Sequence, residues 1–161
     1  SRAGDTELAR KFISDYSDKL PEDQFENSIN FSNAYISHSE GDLNNALVCI
    51  SKVNFPLAIL KIQVKIMQIQ LNYQLGYFEE TRSLVESFKK SLVKEEVISD
   101  TYKNSIIGFL KAVVTLISIK EETEISKKQY EFERLKDNID KSQPNHFGIK
   151  FWLEDRINEM K

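Results

Sequence analysis

The sequence predicts an all-α protein, an α-α superhelix of about eight antiparallel helices repeated in pairs along one domain at 5–161. Three observations predict it. The 161 residues hold only 5 Gly and 3 Pro, too few turn residues for a sheet protein of this length. Pro21 and Pro56 are 35 residues apart, and so are Gly41 and Gly76. Side chains agree at the same offset: Ile29 with Val64, Phe31 with Ile66, Ala34 with Ile69 and Ile36 with Leu71, then Leu43 with Phe78, Ile50 with Val85 and Val53 with Phe88. A fixed period of this size marks stacked repeats.

The elements follow in order. Ser1 to Gly4 reads as linker. Leu8, Phe12, Ile13, Tyr16 and Leu20 predict an orphan helix over 6–19. A first repeat, 21–55, pairs helices over 22–39 and 42–53, and a second, 56–95, pairs helices over 56–75 and 79–94. In each repeat the Pro is expected in the first helical turn, where its missing N–H has no partner to lose. The Gly ends that helix in the left-handed conformation, and Asp42 or Glu79 then meets the positive end of the next helix. Leu43, Ala46, Leu47 and Ile50 form the apolar stripe of one second helix, and Phe78, Thr81, Val85, Phe88 and Leu92 that of the other.

Residues 61–75 need arbitration, because polar and apolar residues nearly alternate there as in a strand. The alternation changes parity at Ile66-Met67, whereas Leu57, Leu60, Val64, Met67, Leu71 and Leu75 hold one helical stripe, with Lys61, Lys65, Gln68 and Asn72 forming another. The run is also too long for an ordinary strand. A helix with apolar contacts on more than one side is predicted. A degenerate pair over 97–142 follows, with helices over 98–120 (Tyr102, Ile106, Phe109, Leu110, Val113, Ile117) and 124–141 (Ile125, Phe132, Leu135, Ile139). The break Ser142-Gln143-Pro144-Asn145 leads to a capping helix at 145–161, with Trp152, Leu153 and Ile157 inward.

The totals bound the function. Hydrophobic residues make up 40% and charged residues 29%, with a net charge of −3 and the two signs interspersed. Nucleic-acid and anionic-membrane surfaces need a concentrated basic patch, so neither partner is expected. The most apolar stretch, Ile106 to Ile119, is 14 residues and contains Lys111, which reads as a buried helix and not a membrane span. No signal peptide is evident, which leaves the compartment undetermined. Cys49 is a lone cysteine, expected as a small core residue. His38, His146 and Cys49 share no metal-ligand spacing, and no phosphate-binding glycine loop is present. Acidic pairs such as Glu79-Glu80 read as helix-start and solubility features. No catalytic residue, cofactor or metal is expected, and the chain is read as non-enzymatic.

Gly41-Asp42-Leu43-Asn44-Asn45-Ala46 and Leu75-Gly76-Tyr77-Phe78-Glu79-Glu80 resemble the turn between helices A and B of a tetratricopeptide repeat, and Pro21 and Pro56 resemble the Pro closing each repeat. The likeness covers roughly residues 6–95 and weakens to 142. It departs where the family carries Trp, Leu and Tyr on helix A: this chain has Asn30, Asn33 and Ser37, then Lys65, Gln68 and Asn72. The period is also similar to that of pentatricopeptide repeats, but their RNA groove is basic and this chain is acidic.

The resemblance implies a right-handed solenoid whose concave A-helix groove binds a protein or peptide. The matching positions are Phe31, Tyr35 and His38 in one repeat and Gln63, Gln70, Tyr73 and Gln74 in the next. Aromatic and amide side chains suit peptide recognition. The alternative is that the tyrosines pack between repeats and the glutamines are merely solvated. These positions lack the Lys/Asn pattern with which family members clamp a chaperone's terminal carboxylate. By the resemblance, helix 6–19 is a B helix without its A, as in the carboxy-terminal part of a longer array. Leu8, Phe12, Ile13 and Tyr16 would then be incompletely covered, so self-association through 5–20 is expected.

A second stripe, Asn104, Gly108, Lys111, Thr115 and Ser118, either lines a groove or lets a neighbouring helix approach at Gly108; close packing or plain exposure is the ordinary reading. The expected role is an interaction scaffold. A structural capping segment of a larger solenoid and an accessory domain of a larger enzyme are the other readings.

Overall fold

Seven α-helices run through the described residues: α1 Glu22–Ser39, α2 Leu43–Ser51, α3 Ala58–Gln74, α4 Phe78–Lys94, α5 Asp100–Glu121, α6 Ile125–Lys141 and, after a 3-10 turn at His146–Gly148, α7 Ile149–Glu159. This computed structural model describes residues 10–11, 14–15, 21–141 and 146–161, with backbone alone at 147, and no strand occurs among them. Arg10, Lys11, Ser14 and Asp15 are helical. The rest of the helix expected at 6–19, with Leu8, Phe12, Ile13 and Tyr16, lies outside the described residues. The chain forms two compact units, Ser1–Thr81 and Arg82–Lys161, whose boundary falls inside α4.

In the first unit, the two glycine turns are built alike. At the end of α1, the N–H of Gly41 donates to His38 O (3.1 Å) and that of Asp42 to Ser37 O (2.8 Å). At the end of α3, the N–H of Gly76 donates to Tyr73 O (3.0 Å) and that of Tyr77 to Asn72 O (2.9 Å). Both are the paired bonds of a Schellman cap, with the glycine at φ 83° or 80°. Asp42 then caps α2, its carboxylate accepting from Asn45 N–H at 3.1 Å. The partner turn has no such cap residue: Tyr77 stands at that position, and Glu79 lies within the first turn of α4.

The prolines do not enter the first helical turns, although Pro21 directly precedes a helix with the bounds expected, 22–39. Pro21 is the residue before α1, and its carbonyl accepts from Gln24 and Phe25 N–H (2.9 and 2.8 Å). Pro56 lies two residues before α3, which begins after Leu57. Neither sits in a helical turn. Leu57, expected in the α3 stripe, is 60% exposed for the same reason.

α1, α2 and α3 close on one core of Ala34, Ala46, Ile50, Val53, Phe55, Val64, Met67 and Leu71. Asn27 on α1 fastens the loop that follows α2: its amide donates to Asn54 O (2.8 Å) and accepts from Asn54 N–H (2.9 Å). Cys49 is half-buried against this core. Ile62, Ile66, Ile69 and Tyr73 of α3 are also buried, a second stripe on the opposite side of the helix from Val64, Met67 and Leu71. Asn72, expected on a polar stripe, is buried, and its Nδ2 donates to Gln68 O at 2.8 Å.

In the second unit, α5, α6 and α7 pack together. Ser99 caps α5, its hydroxyl accepting from Tyr102 N–H at 3.4 Å. The chain reverses over Glu122 to Glu124, where Glu122 Oε1 accepts from the N–H of Thr123 and of Glu124, both at 3.0 Å. Lys127 pairs with the same carboxylate at 2.8 Å and, with these bonds, holds its pKa below the ordinary value. Ile106, Leu110, Val113 and Ile117 of α5 are buried together with Leu135 and Ile139 of α6. Ile125 is 81% exposed and lies off the stripe expected for α6.

On α7, Trp152, Leu153 and Ile157 are buried as expected, with Trp152 edge-on to Phe109 at 5.8 Å. Arg156 lies over the Trp152 ring at 5.3 Å. α5 has 22 residues and is apolar enough, by length and composition, to cross a membrane. Its side chains Ile106, Phe109, Leu110, Val113, Leu116 and Ile117 are buried in the unit's core.

Candidate functional site

The A-helix positions fall on α1 and α3. Phe31, Tyr35 and His38 are spaced four and three residues apart on α1, so they share a face. Gln63, Gln70 and Gln74, seven and four apart, share one on α3. The structure joins these stripes at one end, where His38 Nε2 and Gln74 Oε1 lie 3.1 Å apart; in the tautomer with the proton on Nε2 the ring donates. One residue from each helix therefore meets the other, and both sit in the last turn before a Schellman cap.

Phe31 is half-buried and holds two edge contacts, with Tyr35 at 5.0 Å and with Phe55 at 5.3 Å. It is an anchor reaching into the core from the face. Tyr35 is 48% exposed, yet partial desolvation holds its hydroxyl pKa above the ordinary value. Gln63 and Gln70 are half-buried.

Tyr73 departs from the rest. It is 2% exposed and packs against Phe78 at 5.8 Å, so it backs the face and offers no surface to a ligand. It belongs to the second apolar stripe of α3, a signal already present in its spacing from Ile62, Ile66 and Ile69. Among the described residues, no three His, Cys, Asp or Glu side chains converge on a point that could hold a metal.

The second stripe resolves against close packing. A Cβ added at Gly108 would meet no atom within 4 Å, so no helix approaches there. Asn104, Gly108, Lys111 and Thr115 instead line a cleft of about 530 Å³ that α6 and α7 complete with Asn138 and Lys150. The residues supplied by α6 and α7 were not foreseeable, since their spacing on α5 gives no register against other helices.

No protein family, no curated protein and no solved structure matches this chain.

Proposed function

We propose that the chain is a non-enzymatic, tetratricopeptide-like helical-repeat scaffold that binds a protein or peptide on the face shared by α1 and α3. The observation carrying this reading is the recurrence, after 35 residues, of the same pair of cap hydrogen bonds around a left-handed glycine. Burial recurs with it: Ala34 and Ile69, Ile36 and Leu71, Ile50 and Val85, and Val53 and Phe88 are buried pair by pair. Such a recurrence would set the equivalent helices α1 and α3 next to one another, and these carry Tyr35, His38, Gln70 and Gln74.

The face is uncharged at these positions, with one half-exposed phenol, an imidazole and amides that both donate and accept. That chemistry fits an extended peptide backbone. Selection of binders from a displayed peptide library on the intact chain tests it. Tyr35→Ala should weaken selected peptides by about 1–2 kcal/mol, roughly five- to thirtyfold. His38→Ala should weaken them less. Selected peptides indifferent to Tyr35, His38 and Gln70 would remove the face from the reading, and a library yielding no binder favours a purely structural segment.

A further inference from the structure

The face proposed for a peptide narrows to four side chains where α1 and α3 meet. Tyr35 stands one turn before His38 on α1, and Gln70 one turn before Gln74 on α3, so each pair shares a face. The 3.1 Å contact between His38 Nε2 and Gln74 Oε1 joins the two pairs into one patch. Tyr35 is its one aromatic ring, 48% exposed and held by the edge contact with Phe31 at 5.0 Å. His38, Gln70 and Gln74 are half-buried.

Both helices keep charge off this patch. α1 carries no Asp, Glu, Lys or Arg after Glu26. α3 carries only Lys61 and Lys65, each two residues from Gln63. At about 100° per residue, that offset puts both lysines on the opposite side of the helix from Gln63, Gln70 and Gln74. Past the end of α1, Glu40 pairs with Arg10 at 2.6 Å and Asp42 caps α2. Neither an acidic nor a basic ligand finds a counter-charge on these two faces.

We propose that this patch binds an uncharged, proline-rich segment in the polyproline II conformation; the proposal rests on the peptide-binding reading of the same face. Such a segment has no internal hydrogen bonds, so its carbonyls need donors while its prolines offer none in return. The Tyr35 hydroxyl and the Gln70 amide donate to those carbonyls, and a proline ring packs on Tyr35. One half-exposed ring gives little contact area, which favours a ligand that loses little freedom on binding. A segment already extended by proline is such a ligand. At roughly 3.1 Å per residue, about six residues span the patch.

The probe is an acetylated, amidated peptide of three Pro-Pro-Ala repeats, titrated into the full chain and followed by backbone and glutamine side-chain amide resonances. Saturable one-site shifts are expected at Tyr35, His38, Gln70 and Gln74. A Gly-Ser peptide of the same length, equally uncharged but flexible, should bind about tenfold more weakly. Tyr35→Ala should cost the probe about tenfold. Gln70→Glu, which sets an acceptor against the ligand's carbonyls, should cost a similar factor while circular dichroism stays that of the parent. A proline peptide no tighter than the Gly-Ser peptide, or binding undiminished in both variants, overturns the proposal. If library-selected peptides still depend on Tyr35 and Gln70 in that case, the peptide face stands and only the proline-rich ligand falls. Binding by neither the probe nor any library member removes both.

Discussion

At Gly41 the backbone turns with φ 83°, and an added Cβ would meet no neighbouring atom within 4 Å. Gly108 has the same empty surroundings but lies in ordinary helix. The two positions therefore separate backbone strain from packing. Gly41→Ala should destabilise by about 1–2 kcal/mol, because an L residue resists the left-handed region. Gly108→Ala should stabilise by up to ~1 kcal/mol through helix propensity. Urea midpoints of the two variants check both signs, and a loss at Gly108 would mean that the site needs its open space for folding. Gly41 and Gly76 were legible because each confirms the other 35 residues away. Gly148, at φ 69° before α7, has Val113 at that offset and gave no such signal. Among the site residues, Tyr35 and His38 could be placed from one face of α1. The burial of Tyr73 could not, since an aromatic on a helix with two apolar stripes belongs to whichever stripe the neighbouring helices cover.

α3 shows why a helix can mimic a strand. Its two buried stripes, one through Val64, Met67 and Leu71 and one through Ile66, Ile69 and Tyr73, are offset by two residues. At about 100° per residue, that offset is about 200°, so opposite faces of the helix are apolar and the residues between them polar. Read locally, such a helix alternates; read over four turns, only the helical period persists. Leu71, fully buried in the α1–α3 core, should cost about 2–5 kcal/mol on truncation to Ala, whereas exposed Leu57 should stay within about 0.5 kcal/mol of the parent. Denaturant midpoints of the two variants measure this. One ion pair joins α4 and α5: the Arg82 guanidinium hydrogen-bonds the Glu121 carboxylate and holds its pKa below the ordinary value. A lowered carboxylate pKa contributes stability above its unfolded pKa, lost as pH falls through the folded one. Arg82→Ala should move the Glu121 titration upward toward the ordinary carboxylate range, read by carbon-detected NMR, and an unmoved titration would show that the pair does not persist in solution.

If the 35-residue unit is a true repeat, the molecule is held together by nearest-neighbour interfaces, and a copy inserted in register should be tolerated. Residues 21–55 supply the unit, placed a second time after residue 55. In the native chain α3 meets the α1–α2 core through Val64, Met67 and Leu71. In the copy the equivalent positions are Ile29, Ser32 and Ile36. Two of the three match in kind, but Ser32 stands where Met67 fills the core. The unaltered copy should therefore leave a void, and Ser32→Met in the copy should recover on the order of 2 kcal/mol, the range of a large-to-small core change. A control insertion of residues 21–48 has the wrong period and lacks Ile50, Val53 and Phe55, which complete the core. The 35-residue chain with Ser32→Met should unfold in one transition at a midpoint near the parent's, with added helical signal at 222 nm. The shorter insertion should broaden the transition and lower the midpoint. Equal tolerance of both would mean that the insertion point is simply a permissive loop, and that the matching glycine turns arose without a stacking interface between the units they close.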